Sequence, residues 1–117
     1  MPLLVIQGGD DTVVRPVVAA RLVEHWTAVG DFVDDGLLNN SLKMVRESEM
    51  VTSTPDRHPY ERTTLTSVDG RLVIESYLVE GMGHAWPGPA GDGMFTDHAG
   101  PDASTVTWDF ATRHPMP

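Results

Sequence analysis

Residues 2–9, PLLVIQGG, form an unbroken apolar run closed by a pair of glycines, and the fold turns on how that run is read. A half-exposed strand alternates apolar and polar side chains, whereas a parallel strand covered on both faces does not. The stretch therefore predicts a buried parallel strand over 2–7. Because the run starts at the second residue, with nothing before it to pair with, the sequence is expected to open in mid-fold.

Working outward, Pro16 suits the first turn of a helix, and Val18, Leu22, Trp26 and Val29 recur at helical spacing as one apolar stripe. Gly30 reads as its stop, giving a helix over 16–29. Residues 31–59 are polar and rich in turn formers, a long connection with room for a short helix near 41–50. Next, YERTTLTS and RLVIESYLV flank Val-Asp-Gly, which predicts a hairpin of strands 60–67 and 71–79 with Asp69 and Gly70 in the turn. The first strand is polar on both faces, as an edge strand is, and the second is apolar on both. A Gly/Pro-rich loop fills 81–100. A helix over 102–113 then packs through Ala103, Val106 and Phe110 and is halted by Pro115. Its threonines weaken it as an isolated helix. Trp26 and Trp108 read as core. The whole chain, 1–117, is expected to be one α/β domain.

Size and charge narrow the options. A chain of 117 residues buries roughly 65% of its unfolded surface. A net charge of −9 with only eight basic residues argues against nucleic acid or anionic membranes as partners. No apolar stretch approaches membrane-spanning length, and Met1 leads straight into the strand-like run, so no signal peptide is read. With zero cysteines, disulfides, zinc–thiolate sites and cysteine nucleophiles are excluded.

The chemistry concentrates at two loops. The first strand runs into QGGDDTVV, which offers Asp10 and Asp11; the second buried strand runs into VEGMGHAWPGP, residues 79–89, which offers His84. Ligands of open α/β sheets sit at the carboxyl ends of strands, so parallel neighbours would bring an Asp and a His to one rim. A carboxylate accepting the Nδ1–H of an imidazole fixes its tautomer and stabilises the imidazolium that forms on proton transfer. Asp before His is also the order of the last two triad members in α/β-hydrolases.

On four stretches the sequence resembles the C-terminal part of the α/β-hydrolase serine esterases grouped with poly(3-hydroxybutyrate) depolymerases and feruloyl esterases. PLLVIQGGDDTVV is similar to the family's strand followed by His-Gly-x-x-Asp-x-x-Val, and DFVDDGLLNNS to its polar Asp-Asp-Gly segment. VEGMGHAWPG resembles its catalytic-histidine loop, and GPDASTVTWDFATRHP its last helix. The likeness spans most of the chain, and the Trp-Pro-Gly of the histidine loop is its most specific part. It implies a partial α/β-hydrolase sheet with Asp11 as triad acid and His84 as general base. It also implies carboxylic-ester substrates such as polyhydroxyalkanoate or aryl esters, and no cofactor. The family is largely extracellular. Gln7 stands where the family usually has His. More seriously, the nucleophile elbow Gly-x-Ser-x-Gly is lacking: Ser41, Ser48, Ser53, Ser67, Ser76 and Ser104 each lack the flanking glycines. Two-thirds of a triad is therefore expected, inactive alone. Such a chain would either self-associate through its open strand edge as a homodimer or pair with a nucleophile-bearing half.

Other polar residues admit plainer readings. Asp10 reads as a solvated turn residue. Asp31, Asp34, Asp35 and Gly36 fail the EF-hand pattern, since Val33 and Leu42 fall on ligand positions, and read as a polar surface loop. Asp92, Asp97 and His98 have no diagnostic metal spacing. Trp86 either lines an acyl pocket or packs beneath its loop.

Overall fold

The computed structural model describes residues 2–52, 57–87, 96–97 and 99–115, with the backbone alone for Trp86 and Thr96. Strand β1 (Pro2–Gly8) leads into helix α1 (Pro16–Asp35); β2 (Val45–Val51), β3 (Tyr60–Thr66) and β4 (Val73–Val79) follow. Two-residue strands β5 (Trp86–Pro87) and β6 (Thr96–Asp97) pair in parallel, and helix α2 (Ala103–Arg113) closes the order. The main sheet has the order β1-β4-β3-β2 and is mixed. β1 lies parallel to β4 with Leu3 opposite Ile74 and Gly8 opposite Val79, and the other two pairs are antiparallel.

Alternation along β4 sorts the two helices onto opposite faces. Ile74, Ser76 and Leu78 look toward α1, whereas Glu75 and Tyr77 look toward α2. Helices thus cover β1 on both sides, as its unbroken apolar run anticipates. Yet residues 3–6 stay only partly buried, because β1 is the edge of the sheet. The opposite edge is β2, whose Arg46, Glu47 and Glu49 are exposed, while β1 carries no charged residue at all. The buried apolar core is thin: Leu42, Leu72, Ile74, Tyr77, Val79, Met82, Ala103 and Phe110.

Several expectations are corrected here. The first helix does not stop at Gly30. It continues to Asp35 and ends at Gly36, whose left-handed φ of 78° lets its N–H reach the Phe32 carbonyl. Gly30 serves a different purpose, since a Cβ there would lie 2.6 Å from Leu72 Cδ2; the missing side chain lets the helix settle on the sheet. Asp31, Asp34 and Asp35 are therefore helical, not loop, and they cap the turn that follows. Asp31 accepts from the Asn40 and Ser41 N–H groups, Asp34 from the Ser41 hydroxyl, and Asp35 from the Leu37 N–H.

The stretch expected to hold a short helix near 41–50 instead forms strand β2. Its Lys/Arg/Glu/Met content suits a helix, but cross-strand pairing with β3 outweighs propensity. Ser48 and Thr63 hydroxyls meet at 3.0 Å, and Glu49 lies 3.4 Å from Arg62. Consequently β3 is an interior strand and not the edge its polar faces suggested. The helical stripe is corrected too: Val18, Leu22 and Val29 are exposed, and the helix packs through the flank centred on Ala19, Val23 and Gly30. No residue of α1 is fully buried, and a cavity of about 410 Å³ separates it from β2, β3 and β4. Trp108, read as core, is 71% exposed. Ala103 and Phe110 set the inward face of α2, and position 108 falls on its far side.

That inward face covers an ionic cluster. Glu75, 1% exposed, accepts from the Tyr77 hydroxyl at 2.6 Å and pairs with Arg62 at 3.1 Å and Arg113 at 3.3 Å. Burial pushes its carboxyl up, but Tyr77 and the two guanidinium groups outweigh burial and hold it below the ordinary glutamate range. Burial, reinforced by Glu75, drives the Tyr77 phenol upward. Asp102 caps α2, accepting from the Thr105 N–H and hydroxyl.

Candidate functional site

The glycine pair that closes β1 brings the two loops together. Gly9 N–H donates to the Val79 carbonyl at 2.7 Å, and Asp10 N–H donates to the Met82 carbonyl at 2.9 Å. This seam is so close that a Cβ on Gly8 would lie 2.3 Å from both the Met82 and Gly83 carbonyl oxygens. With β1 and β4 in parallel register, the chain after each strand emerges at one rim.

At that rim His84 Nδ1 lies 2.9 Å from Asp11 Oδ2. The carboxylate is held from behind: Oδ1 accepts the N–H groups of Val13 (2.9 Å) and Val14 (2.8 Å). One oxygen is thereby tied to the backbone of its own turn, and the other is aimed at the imidazole. The side chain of Asp11 is 6% exposed and that of His84 46%. Burial raises the Asp11 carboxyl, but the Val14 N–H, His84 and the Val13 N–H together hold it below the ordinary aspartate range. An ionised Oδ2 can only accept, so the proton of this contact sits on Nδ1, which leaves Nε2 as the basic nitrogen.

Gln7, in the reading above only a departure from a family pattern, supports this arrangement. Its amide, buried beneath the turn, lies 2.8 Å from the Val14 carbonyl, 3.1 Å from the Gly8 carbonyl and 3.4 Å from Asp11 Oδ2. A buried polar side chain at the end of an apolar strand is the signal that marks it. Around the pair, Ile6, Val14, Gly83 and Ala85 help to line a depression of about 400 Å³. No serine lines it. Ser41, Ser48 and Ser67 hydrogen-bond to Asp34, Thr63 and Asp69 respectively. Ser76 lines the α1 cavity, and Ser53 lies outside the described residues.

The remaining candidates separate. Asp10 is exposed. Asp92 and His98, and the side chain of Trp86, lie outside the described residues. Asp97, considered with them as a ligand, instead lies 2.8 Å from His58 Nε2, a contact that sequence spacing did not signal. Among the described residues no group of three or more His, Asp or Glu side chains is placed to hold a metal ion, and no helix is long and apolar enough to cross a membrane. No protein-family model matches this sequence, and a search of the curated proteins finds no match.

Proposed function

We propose that this chain supplies the acid and the base of a serine carboxylic-ester hydrolase with a partial α/β-hydrolase sheet, the nucleophile coming from polypeptide outside this sequence. The observation that carries the reading is the 2.9 Å contact between His84 Nδ1 and a buried Asp11 at the carboxyl ends of adjacent parallel strands. In the assembled enzyme His84 Nε2 removes the proton of the serine hydroxyl as its oxygen bonds to the ester carbonyl carbon. The same proton passes to the alkoxide oxygen when the ester C–O bond breaks, and water then repeats the cycle on the acyl-enzyme. Asp11 holds the Nδ1–H throughout. Substrates are carboxylic esters of the polyhydroxyalkanoate or aryl-ester kind.

The test is complementation. The isolated chain is expected to show only background turnover of p-nitrophenyl acetate. Co-expression with the product of the coding sequence immediately upstream is expected to restore turnover that His84→Ala removes. Turnover by the isolated chain that survives His84→Ala overturns the reading.

A second reading, a non-catalytic module that self-associates, is favoured by a specific feature. At 3.6 residues per turn, Val18, Leu22 and Val29 share an exposed flank of α1 that does not line the cavity, and the open edge of β1 carries no charge. Under this reading sedimentation shows a dimer that Leu22→Glu dissociates; a monomer at high concentration excludes it.

A further inference from the structure

The loop that carries His84 is gripped from two sides, and only one of them belongs to the dyad. On the inner side lies the glycine seam of β1. On the outer side lies His58. Its backbone N–H donates to the Ala99 carbonyl at 2.9 Å, and its Nε2 sits 2.8 Å from Asp97 Oδ2. Asp97 is itself fixed, because its Oδ1 accepts the Ala99 N–H at 2.9 Å. The two side chains share their burial almost evenly, at 26% and 23% exposure.

The Nδ1–Cε1 edge of the His58 ring lies against the turn that precedes His84. A Cβ on Gly81 would come within 3.1 Å of His58 Nδ1 and 3.3 Å of its Cε1, and Gly81 already holds a left-handed φ of 75°. The next residue, Met82, is 1% exposed and is the side chain that anchors the turn in the core. From the same outer side Gly100 packs on Pro87 and Met82 Sδ, while Arg57 Nη1 donates to the Gly100 carbonyl at 3.3 Å. Residues 57–59, together with Asp97, Ala99 and Gly100, therefore lie as one clamp over residues 80–83.

We propose that His58 and Asp97 are positioning residues for His84, a latch that presses on the Gly81 turn and so keeps His84 Nδ1 within reach of Asp11. The proposal rests on the reading of His84 as the general base and adds the pair that sets its place. The latch touches no reacting atom. It acts through backbone: loosening it lets residues 80–84 swing away from the rim and releases the imidazole from its carboxylate.

The test uses the full chain labelled with ¹⁵N in its histidines, and long-range ¹H–¹⁵N correlation of each ring. Wild-type His84, once neutral, is expected almost wholly as the Nδ1–H tautomer. In His58→Ala the ratio of Nδ1–H to Nε2–H at His84 is expected to fall about tenfold, the scale on which groups behind an imidazole set its orientation. His58→Gln places an N–H near the Nε2 position, can still donate to Asp97, and is expected to restore most of the wild-type ratio. Asp97→Asn weakens the contact from its other end and serves if His58→Ala does not fold. A folded His58→Ala, or a folded Asp97→Asn in its place, whose His84 nitrogen shifts match the wild type overturns the latch. A wild-type His84 found as the Nε2–H tautomer is a different result: it overturns the dyad, and the latch falls with it.

Discussion

Among the described residues stand two histidine–aspartate pairs of almost equal length, His84–Asp11 at 2.9 Å and His58–Asp97 at 2.8 Å, and they are not equivalent. In the first, burial is divided unequally: the carboxylate is enclosed and tied to backbone N–H groups, and the imidazole opens onto a depression. In the second, both partners are covered to a similar extent, with 26% and 23% of their side chains exposed, and the ring lies against a glycine of the main chain. Bond length says nothing about role here. What differs is how far each ring is exposed, 46% for the His84 side chain against 26% for His58. Under the proposed function the first pair exchanges a proton and the second bears load.

The largest effect that would break this contrast is kinetic. In the complemented enzyme His84→Ala should lower kcat/KM by about 10³-fold or more. His58→Ala should lower it only about tenfold, through kcat. Equal losses would erase the distinction. A smaller effect is expected from the seam between the loops. Gly8→Ala drives a methyl group into two carbonyl oxygens and should cost about 3 kcal/mol, the upper end for overpacking, read by chemical denaturation. Gly81→Ala probes the latch side. A side chain at φ 75° against the His58 ring should cost about 1–2 kcal/mol, and His58→Ala should relieve part of that penalty in the double variant.

The smallest expected effect is acid sensitivity. Asp11, Glu75 and Asp69, the last held down to about 2 by the Arg71 N–H, the Ser67 hydroxyl and the Arg71 guanidinium, are all more acidic folded than unfolded. Their contribution is complete above the ordinary carboxylate range near pH 4–4.5. It is lost as pH falls through their lowered folded values. Thermal melts from pH 7 to pH 2.5 should show the decline beginning below about pH 4.5, and Asp11→Asn should flatten only the part owed to the dyad.

Much of the scaffold is legible in the sequence because its signals are local. PLLVIQG marks its own strand, Asp69-Gly70 its hairpin, and Asp102 its helix start. The approach of residue 11 to residue 84 follows from two apolar strands that end in polar loops, once the strands are parallel neighbours. The errors arise where tertiary context overrides local preference. VRESEMV looks helical until β3 offers it partners, and Gly30 looks like a terminator until Leu72 is seen beneath it. The latch is not legible at all. His58 and Asp97 are 39 residues apart, and no periodicity connects a histidine before one strand to an aspartate before the last helix.

The unlike borders of the main sheet have a further bearing on how this chain behaves at high concentration. One border, β1, presents hydrogen-bonding groups with no charge to deter a newcomer, while the other, β2, is fenced by Arg46, Glu47 and Glu49. Once the unfenced side is occupied, both outer margins of the product carry that fence. Were a second copy to pair there, accretion strand upon strand would have nowhere to continue, so growth is expected to end at a pair and not to run on into a fibril.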